Sequence, residues 1–284
     1  MKLAELHVHL EGTVRYETAL ELAVANGLPP PPPYSYSDLP GFFDVYFPVA
    51  RCMVTAGDFE RVILEQAETM RAQGIEYAEI SVNPSLHEGV DWTAGMASAR
   101  DRARRAGAEI AWLFELVRGL PRSQNEWAVD FALETDGVVG LGLVGDESVA
   151  AGDLKPLIDR TRKAGLGFMP HAGQVGGPEV VREAVEVLGA TRIAHGVAAA
   201  GDEALMRSLA ERGVCLCICP SSNAHIGLKP DYRVLAQHGI PLTVSTDDPA
   251  MVGTTLEHEL QVAEKEFGLG RSELIEAAWK YRFG

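Results

Sequence analysis

Short apolar runs rich in β-branched residues alternate along the chain with longer segments in which apolar residues recur every three or four positions. The first pattern is typical of buried strands and the second of amphipathic helices, so the alternation predicts βα units around a parallel sheet. The runs cover residues 5–11, 76–83, 109–117, 138–146, 166–171, 192–195, 214–219 and 241–247. The helix candidates between them include residues 58–73, 93–106, 124–134, 178–188 and 202–211.

The number of strand-like runs distinguishes a closed α/β barrel from an open doubly wound sheet. Eight runs, each followed by helix, favour a single α/β domain over residues 1–284, a closed TIM-type (β/α)8 barrel. The alternative, an open doubly wound sheet that binds a dinucleotide, lacks its GxGxxG loop after the first run. Glycines just before the next run predict where helices stop, because glycine adopts the left-handed backbone conformation readily. They are Gly74, Gly107, Gly165, Gly189, Gly213 and Gly239.

The longest irregular region spans residues 28–57 and follows the first predicted helix. It opens with five prolines at 29–33 and continues through the aromatic residues Phe42, Phe43, Tyr46 and Phe47. Two placements remain open from the sequence: an apolar lid over the mouth of the barrel, or a hydrophobic helix packed on its side.

Composition and charge indicate which kinds of molecule the protein is expected to bind. Hydrophobic residues make up 46% and charged residues 23% of the chain, as in ordinary globular proteins. The formal charge of -15 would repel a polyanion, so we expect no nucleic acid polymer as partner, while a small neutral nucleobase stays possible. The first residues form no basic and apolar leader, and no segment has the roughly 18 apolar residues of a membrane span, so we expect a cytoplasmic protein.

Histidines and aspartates lie where several predicted strands end. In a strand, residues two apart face the same side, so His7 and His9 are able to face one ion together. His171, His195 and Asp247 close the fifth, sixth and eighth runs. The carboxyl ends of barrel strands carry the active site, so we expect these side chains to converge.

Each of these residues alone has a plainer interpretation, a strand-end histidine capping a turn or an aspartate starting a helix. Their joint placement at the ends of the first, fifth, sixth and eighth runs instead predicts a metal site with histidine and aspartate ligands. Imidazole nitrogens and a carboxylate oxygen suit one zinc ion, with a position left for a water molecule. Such an ion lowers the pKa of bound water towards neutrality and makes hydroxide available for hydrolysis.

The remaining cysteines and histidines have less specific surroundings. Four cysteines do not form a disulfide framework in a chain of this size. The sulfurs of Cys215, Cys217 and Cys219 on one strand face lie about 7 Å apart, too far for one zinc ion, so buried packing is predicted. The polar surroundings of three histidines predict solvated side chains, whereas His225 is a possible rim residue of the site. The three are His87, His238 and His258.

The histidine and aspartate residues, read with their neighbours, resemble the adenosine deaminase family of the amidohydrolase superfamily. The matching segments are LHVHLEG at 6–12, VGLGLVGDE at 139–147, HAG at 171–173, RIAHG at 192–196, CPSSN at 219–223 and STDDP at 245–249. They follow the family's order over almost the whole chain. The resemblance implies zinc-dependent hydrolytic loss of ammonia from the 6-position of an adenine-type ring.

The resemblance also assigns roles. It implies that the zinc ligands are His7, His9, His171 and Asp247. His195 would orient and help to deprotonate the attacking water. Asp248 holds that water and passes on its proton. Gly145 contacts the purine through its backbone, and the Gly145-Asp146-Glu147 sequence is closer to the nucleoside enzymes than to those that act on free adenine, which makes Asp146 a candidate substrate-binding residue.

Two positions depart from the family pattern. Gln174 stands where the family has a glutamate that protonates the ring, and an amide donates hydrogen bonds but delivers no proton. An engineered replacement, a different substrate or acid, and lost activity are the three explanations. Glu11, expected near the sugar, replaces the aspartate of classical adenosine deaminases, as in relatives that act on modified adenosines such as aminodeoxyfutalosine or on adenine.

Three functions therefore remain open from the sequence. The first is deamination of a 6-aminopurine nucleoside, and the second is hydrolysis of a different amide or ester bond, which needs no ring protonation. The third is a nucleoside-binding protein without turnover, which keeps the metal and the cavity.

Overall fold

A computed structural model of the chain describes residues 2–90 and 92–284. All its strands are parallel neighbours in one sheet of order β1 to β8. They are β1 (Leu3–His9), β2 (Ile75–Val82), β3 (Glu109–Val117), β4 (Val138–Val144), β5 (Gly167–Ala172), β6 (Arg192–His195), β7 (Cys215–Ile218) and β8 (Leu242–Val244).

Helices connect consecutive strands and cover the outside of the sheet. The first six are α1 (Tyr16–Ala25), α2 (Leu39–Ala50), α3 (Ala56–Gln73), α4 (Thr93–Arg105), α5 (Arg122–Glu134) and α6 (Lys155–Lys163). They are followed by α7 (Pro178–Arg182), α8 (Glu203–Arg212), α9 (Pro220–His225), α10 (Tyr232–Gln237), α11 (Pro249–Val252), α12 (Leu256–Phe267) and α13 (Arg271–Tyr281). Over residues 2–90 and 92–284, no helix combines the length and apolarity needed to cross a membrane.

The sheet closes on itself just beyond the end of β8. The backbone N–H of His9 donates to the carbonyl of Asp247 at 2.8 Å, and the N–H of Asp247 donates to the carbonyl of His7 at 3.1 Å. This pairing joins the chain after the last strand to the first strand, which confirms the predicted (β/α)8 barrel. The closure lies at the carboxyl ends of the strands, within the predicted metal site.

The core has two layers, as expected for a barrel surrounded by helices. A smaller cluster, contributed by six strands, fills the barrel interior. It includes Ala4, Leu6, Tyr77, Ala111, Leu113, Met169, Ala194 and Cys217. The larger cluster packs the opposite faces of the strands against the helices. Beneath the interior cluster, Arg192 pairs with Glu79 and lies over the ring of Phe283.

Most predicted elements are confirmed, with shifts at their ends. The six predicted helix-stop glycines all have positive φ, between 65° and 89°. The first run, predicted over 5–11, is wrong at both ends: the strand begins at Leu3 and stops at His9, because Glu11–Thr13 form a 3-10 turn in which the Thr13 hydroxyl donates to the carbonyl of Leu10. The helix predicted over 178–188 is α-helical only to Arg182 and continues as a π-helical turn over Glu183–Val187.

Candidate metal and substrate site

Four side chains meet at the carboxyl ends of the strands. The Nε2 atoms of His7 and His9 lie 3.1 Å and 3.2 Å from the Nε2 atom of His171. The Oδ1 atom of Asp247 lies 3.2 Å from both His7 Nε2 and His9 Nε2. The structure thus brings together, from β1, β5 and the segment just after β8, the four residues predicted to bind the metal.

The spacing of these atoms fits a coordinated ion. Ligand atoms arranged tetrahedrally about 2.0–2.1 Å from a zinc ion lie about 3.3 Å apart. The separations in the cluster are 3.1–3.2 Å. Because all four groups are largely withdrawn from water, converging lone pairs need a cation to compensate them. The donor set therefore fits a zinc-like divalent ion.

Two residues of the site carry unusual backbone conformations. His195 and Asp247 have φ of 63° and 65°, and no other non-glycine residue among those described has a positive φ. Such a conformation costs about 1–3 kcal/mol and tends to occur at functional sites. At Asp247 this backbone conformation directs the side chain towards the histidines, while the backbone N–H and carbonyl pair with β1 and close the barrel.

Groups outside the cluster hold its ligands in place. Glu115 Oε1 lies 3.1 Å from His9 Nδ1, and Cys219 Sγ lies 3.3 Å from His7 Nδ1. The hydroxyl of Ser222 donates to Asp247 Oδ2 at 2.6 Å. Partners of this kind fix the tautomer and orientation of metal-binding histidines. Cys219 is buried, as predicted for the three cysteines, but its thiol also contacts a candidate ligand, which packing alone did not predict.

His195 and Asp248 adjoin the cluster and line the same cavity. His195 Nε2 lies 3.6 Å from Asp247 Oδ2, and burial lowers the pKa of His195 to about 3, which keeps its imidazole neutral. Burial and the neighbouring Asp247 raise the pKa of Asp248, whose Oδ1 has no hydrogen-bond partner among the described residues. A Cβ atom at Gly12 would lie 2.0 Å from that oxygen, so the approach of Asp248 requires a glycine there.

Gln174 lines the cavity on the loop that follows β5. Its side-chain Nε2 donates to Asn223 Oδ1 at 3.2 Å, and Asn223 Nδ2 donates to the hydroxyl of Tyr232 at 2.9 Å. The Gln174 side chain is therefore held by the buried amide of Asn223, which the Tyr232 hydroxyl holds in turn.

The loop carrying Gln174 is fixed by Glu147, a residue for which the sequence predicted no role. The buried Glu147 carboxylate accepts hydrogen bonds from four consecutive backbone N–H groups. These belong to Gly173, Gln174, Val175 and Gly176. Hydrogen bonds to an ionised acceptor are the stronger kind, so this carboxylate sets the position of Gln174.

We expect Glu147→Gln to lower the free energy of unfolding by about 2–3 kcal/mol and kcat/KM by about 10-fold, because an amide accepts through one oxygen and opposes nearby N–H groups with its own donors. Thermal denaturation and steady-state kinetics measure the two effects. The control is Glu126→Gln, which alters an exposed pair with Arg122 and should change stability by less than about 0.5 kcal/mol. Equal behaviour of the two variants would contradict the assigned role of Glu147.

Glu11 lies behind the cavity surface rather than among its lining residues. One oxygen, Oε1, accepts from the backbone N–H of Asn83 at 3.3 Å and lies 2.9 Å from His87 Nε2. The other, Oε2, has no hydrogen-bond partner within residues 2–90 and 92–284. The solvated side chain predicted for His87 is wrong, because the ring is buried against Phe59 and Glu11. His238 and His258 are exposed as predicted. Contact of Glu11 with a substrate stays a prediction.

The cavity above the cluster has a volume of about 600 Å³. Gly145 and Asp146 line it, as do aromatic side chains of the 28–57 segment, while movement of that segment as a lid stays a prediction. His225 is half-buried with its ring 4.4 Å from Tyr36, another lining residue, which places it beside the site. The arrangement combines a candidate metal centre, two adjacent titratable side chains and space for a small organic molecule.

The comparisons with known proteins agree on one group. The family model described as adenosine deaminase matches residues 2–280. An aminodeoxyfutalosine deaminase of Streptomyces coelicolor is 36% identical, over 97% of this chain and 77% of that protein. The crystal structure of an adenine deaminase from Arthrobacter aurescens superposes with a TM-score of 0.92 at 25% identity, covering 99% of this chain and 94% of that one. An amidohydrolase from Burkholderia ambifaria, solved with bound Zn, has the same fold, with a TM-score of 0.91 at 22% identity over 100% of this chain and 86% of that one.

Proposed function

Because the chain belongs to the adenosine deaminase family, we propose that it is a zinc-dependent hydrolase that replaces the 6-amino group of an adenine-type nucleoside with oxygen. The observation that carries the proposal is the convergence of His7, His9, His171 and Asp247 beside His195 and Asp248 at the floor of one cavity. The relatives act, by their names, on adenine and on aminodeoxyfutalosine, which have the 6-aminopurine ring in common.

Each side chain at the site has its own role in the proposed reaction. A zinc ion held by the four residues would supply activated water at neutral pH. His195, neutral because of its low pKa, accepts a hydrogen bond from the attacking water and orients it. A cation held beside Asp248 would favour its ionised form, so that this carboxylate, next to the proposed ligand Asp247, takes the proton of that water and passes it to the departing amine. Oxygen bonds to the ring carbon, the carbon–nitrogen bond breaks, and ammonia leaves.

Gln174 limits this chemistry at the ring nitrogen. Its amide donates a hydrogen bond to the nitrogen next to the attacked carbon but transfers no proton. We therefore propose that the native chain turns over simple adenosine slowly. The missing proton donor also favours a second candidate function, a nucleoside-binding protein without turnover. The proposed metal ligands and the cavity do not depend on Gln174, so binding would persist without catalysis.

A deamination assay tests the proposal. Protein loaded with Zn²⁺ and incubated with adenosine should release ammonia and form the 6-oxo product, seen as a fall in absorbance at the adenine band, and a chelator should stop the reaction. Calorimetric titration with the same nucleoside separates the second candidate, since binding without ammonia release would support it. Absence of ammonia from a panel of adenine nucleosides, with this protein and with Gln174→Glu, would refute the deaminase proposal.

A further inference from the structure

The three candidate histidine ligands differ in how their rings are held. The Nδ1 atoms of His7 and His9 lie against the side chains of Cys219 and Glu115. The Nδ1 atom of His171 is buried and has no hydrogen-bond partner in the part of the chain that the structure describes. A metal-binding histidine usually donates this second N–H to a neighbouring group, which sets the orientation of the ring. The orientation of the His171 ring therefore depends on how its backbone is held.

The backbone at His171 lies just beyond the pairing of β5 with β4. The last paired residues of these strands are Leu143 and Pro170, and the chain turns after β4 at Gly145, which has φ of 100°. The carbonyl of His171 accepts a hydrogen bond at 3.3 Å from Nη2 of Arg118, the residue that follows β3. A side chain thus supplies the donor that a neighbouring strand gives elsewhere in the sheet.

The guanidinium of Arg118 is itself held by two further groups. Nη1 donates to the carbonyl of Val149 at 3.1 Å and lies 3.4 Å from Oε2 of Glu183. The other carboxylate oxygen of Glu183, Oε1, accepts from the backbone N–H of Ala151 at 2.9 Å. The side chain of Arg118 is fully buried, so these contacts take the place of water. Arg118 and Glu183 therefore tie the loop after β4 to the end of β5.

Glu183 is the first residue of the π-helical turn that follows α7. Turns of this kind are rare and occur frequently at functional sites. The loop that Glu183 contacts at Ala151 also carries Glu147, whose carboxylate accepts from the backbone N–H of Gln174. One connected set of contacts therefore runs from the π-helical turn, through the loops after β4 and β5, to the backbone of a candidate metal ligand.

We infer that Arg118 is a positioning residue for the proposed metal centre: its guanidinium, held by Glu183, fixes the backbone of His171 and so directs the ring of this ligand. The inference rests on the proposed function for the presence of the ion. Arg118 is not among the residues that line the cavity, so it acts through His171 and not on a substrate. A planar guanidinium suits this role because it donates in fixed directions to several acceptors at once, unlike the ammonium of lysine.

Metal affinity tests the inference on the full chain. Arg118→Gln should raise the dissociation constant for Zn²⁺, measured by competition with a chelator, by about 10- to 100-fold, because groups that orient metal ligands have effects of this size. Arg118→Lys keeps the charge and one donor, and should raise the same constant by about 3- to 10-fold. With saturating zinc, kcat for deamination should fall in Arg118→Gln by about 10-fold, while KM should change little because the cavity wall is unaltered.

Cobalt(II) in place of zinc gives a readout that does not depend on turnover. The visible absorption of Co²⁺ depends on the number and arrangement of its ligands, and metal geometry is diagnostic of the site. We expect the absorption band to change in position or intensity in Arg118→Gln, and to return towards that of the unaltered protein in Arg118→Lys.

Arg192 provides the matched control, because it is the other buried arginine among the residues that the structure describes. It pairs with Glu79 beneath the interior cluster, away from the candidate ligands. Arg192→Lys should lower the melting temperature at least as much as Arg118→Lys, since its partner is completely buried. It should nevertheless leave the zinc dissociation constant and the cobalt spectrum unchanged.

The outcomes separate this inference from the proposed function. A folded Arg118→Gln protein with the zinc affinity and cobalt spectrum of the unaltered chain would overturn the inference. If Arg118→Gln does not fold, equal losses of zinc affinity in Arg118→Lys and Arg192→Lys would indicate a general loss of stability and overturn it as well. A chain that binds no divalent ion would overturn the inference together with the ligand set. Absence of ammonia would count against the deaminase alone, because zinc affinity and the cobalt spectrum are measured without a substrate.

Discussion

Asp247→Asn will bind zinc more than about 100-fold more weakly than the unaltered protein and will lose hydrolytic activity with the metal, because one of the four converging donors loses its charge. Asparagine is the appropriate replacement. The backbone at this position has φ of 65°, a conformation that asparagine adopts more readily than most residues, so the barrel closure should persist. An alanine there would combine loss of the donor with backbone strain.

Metal content after dialysis and competition with a chelator measure the affinity, and circular dichroism checks the fold. The control is Asp248→Asn, which changes the adjacent carboxylate without removing a proposed ligand. It should keep the metal and lose activity by about 10²- to 10⁴-fold, as expected for a group that transfers protons. A folded Asp247→Asn protein with unchanged metal content would refute the proposed ligand set.

Gln174→Glu will raise kcat/KM for deamination of adenine nucleosides by about 10²- to 10⁴-fold, because it introduces a proton donor beside the ring nitrogen. The surroundings accept the change: Asn223 pairs with Gln174 through its amide, and by turning that amide over it donates to a carboxylate oxygen instead. The measurement is ammonia release under single-substrate conditions near neutral pH.

The matched control is Gln124→Glu, since Gln124 also lines the cavity and the substitution makes the same change in charge. It should give no increase in rate. If Gln174→Glu is as slow as the unaltered protein while zinc remains bound, either another group supplies the proton or the substrate does not require one, and hydrolysis of a different bond would become the better interpretation.

The site could be predicted from the sequence because its residues lie at the ends of predicted strands. Barrel strands bring their carboxyl ends together, so positions along the chain predicted that these histidines and aspartates converge, and the family resemblance indicated which four bind the ion. They are His7, His9, His171 and Asp247. The same reasoning gave the barrel itself, since eight apolar runs with glycine-terminated helices fit few other folds.

Residues whose importance arises from contacts distant in sequence were missed. His87 lies in a polar stretch yet becomes buried beside Glu11, 76 positions away. Glu147 belongs to a segment that matches the family pattern, but nothing local indicates that its carboxylate accepts from the backbone of a loop 26 to 29 residues later. Cys219 fitted a simple packing pattern, and its contact with His7 crosses 212 positions. Pairings of this kind depend on the closed barrel and not on local periodicity.

The closure of the barrel through His7, His9 and Asp247 has a consequence for folding. These residues lie about 240 positions apart in the chain, so an ion bound to them would hold the first strand and the segment after the last strand together. Because the unfolded chain has no such preformed site, metal binding would stabilise the closed barrel by mass action. If metal binding assists closure of the barrel, refolding should be slow without zinc and faster when zinc is added.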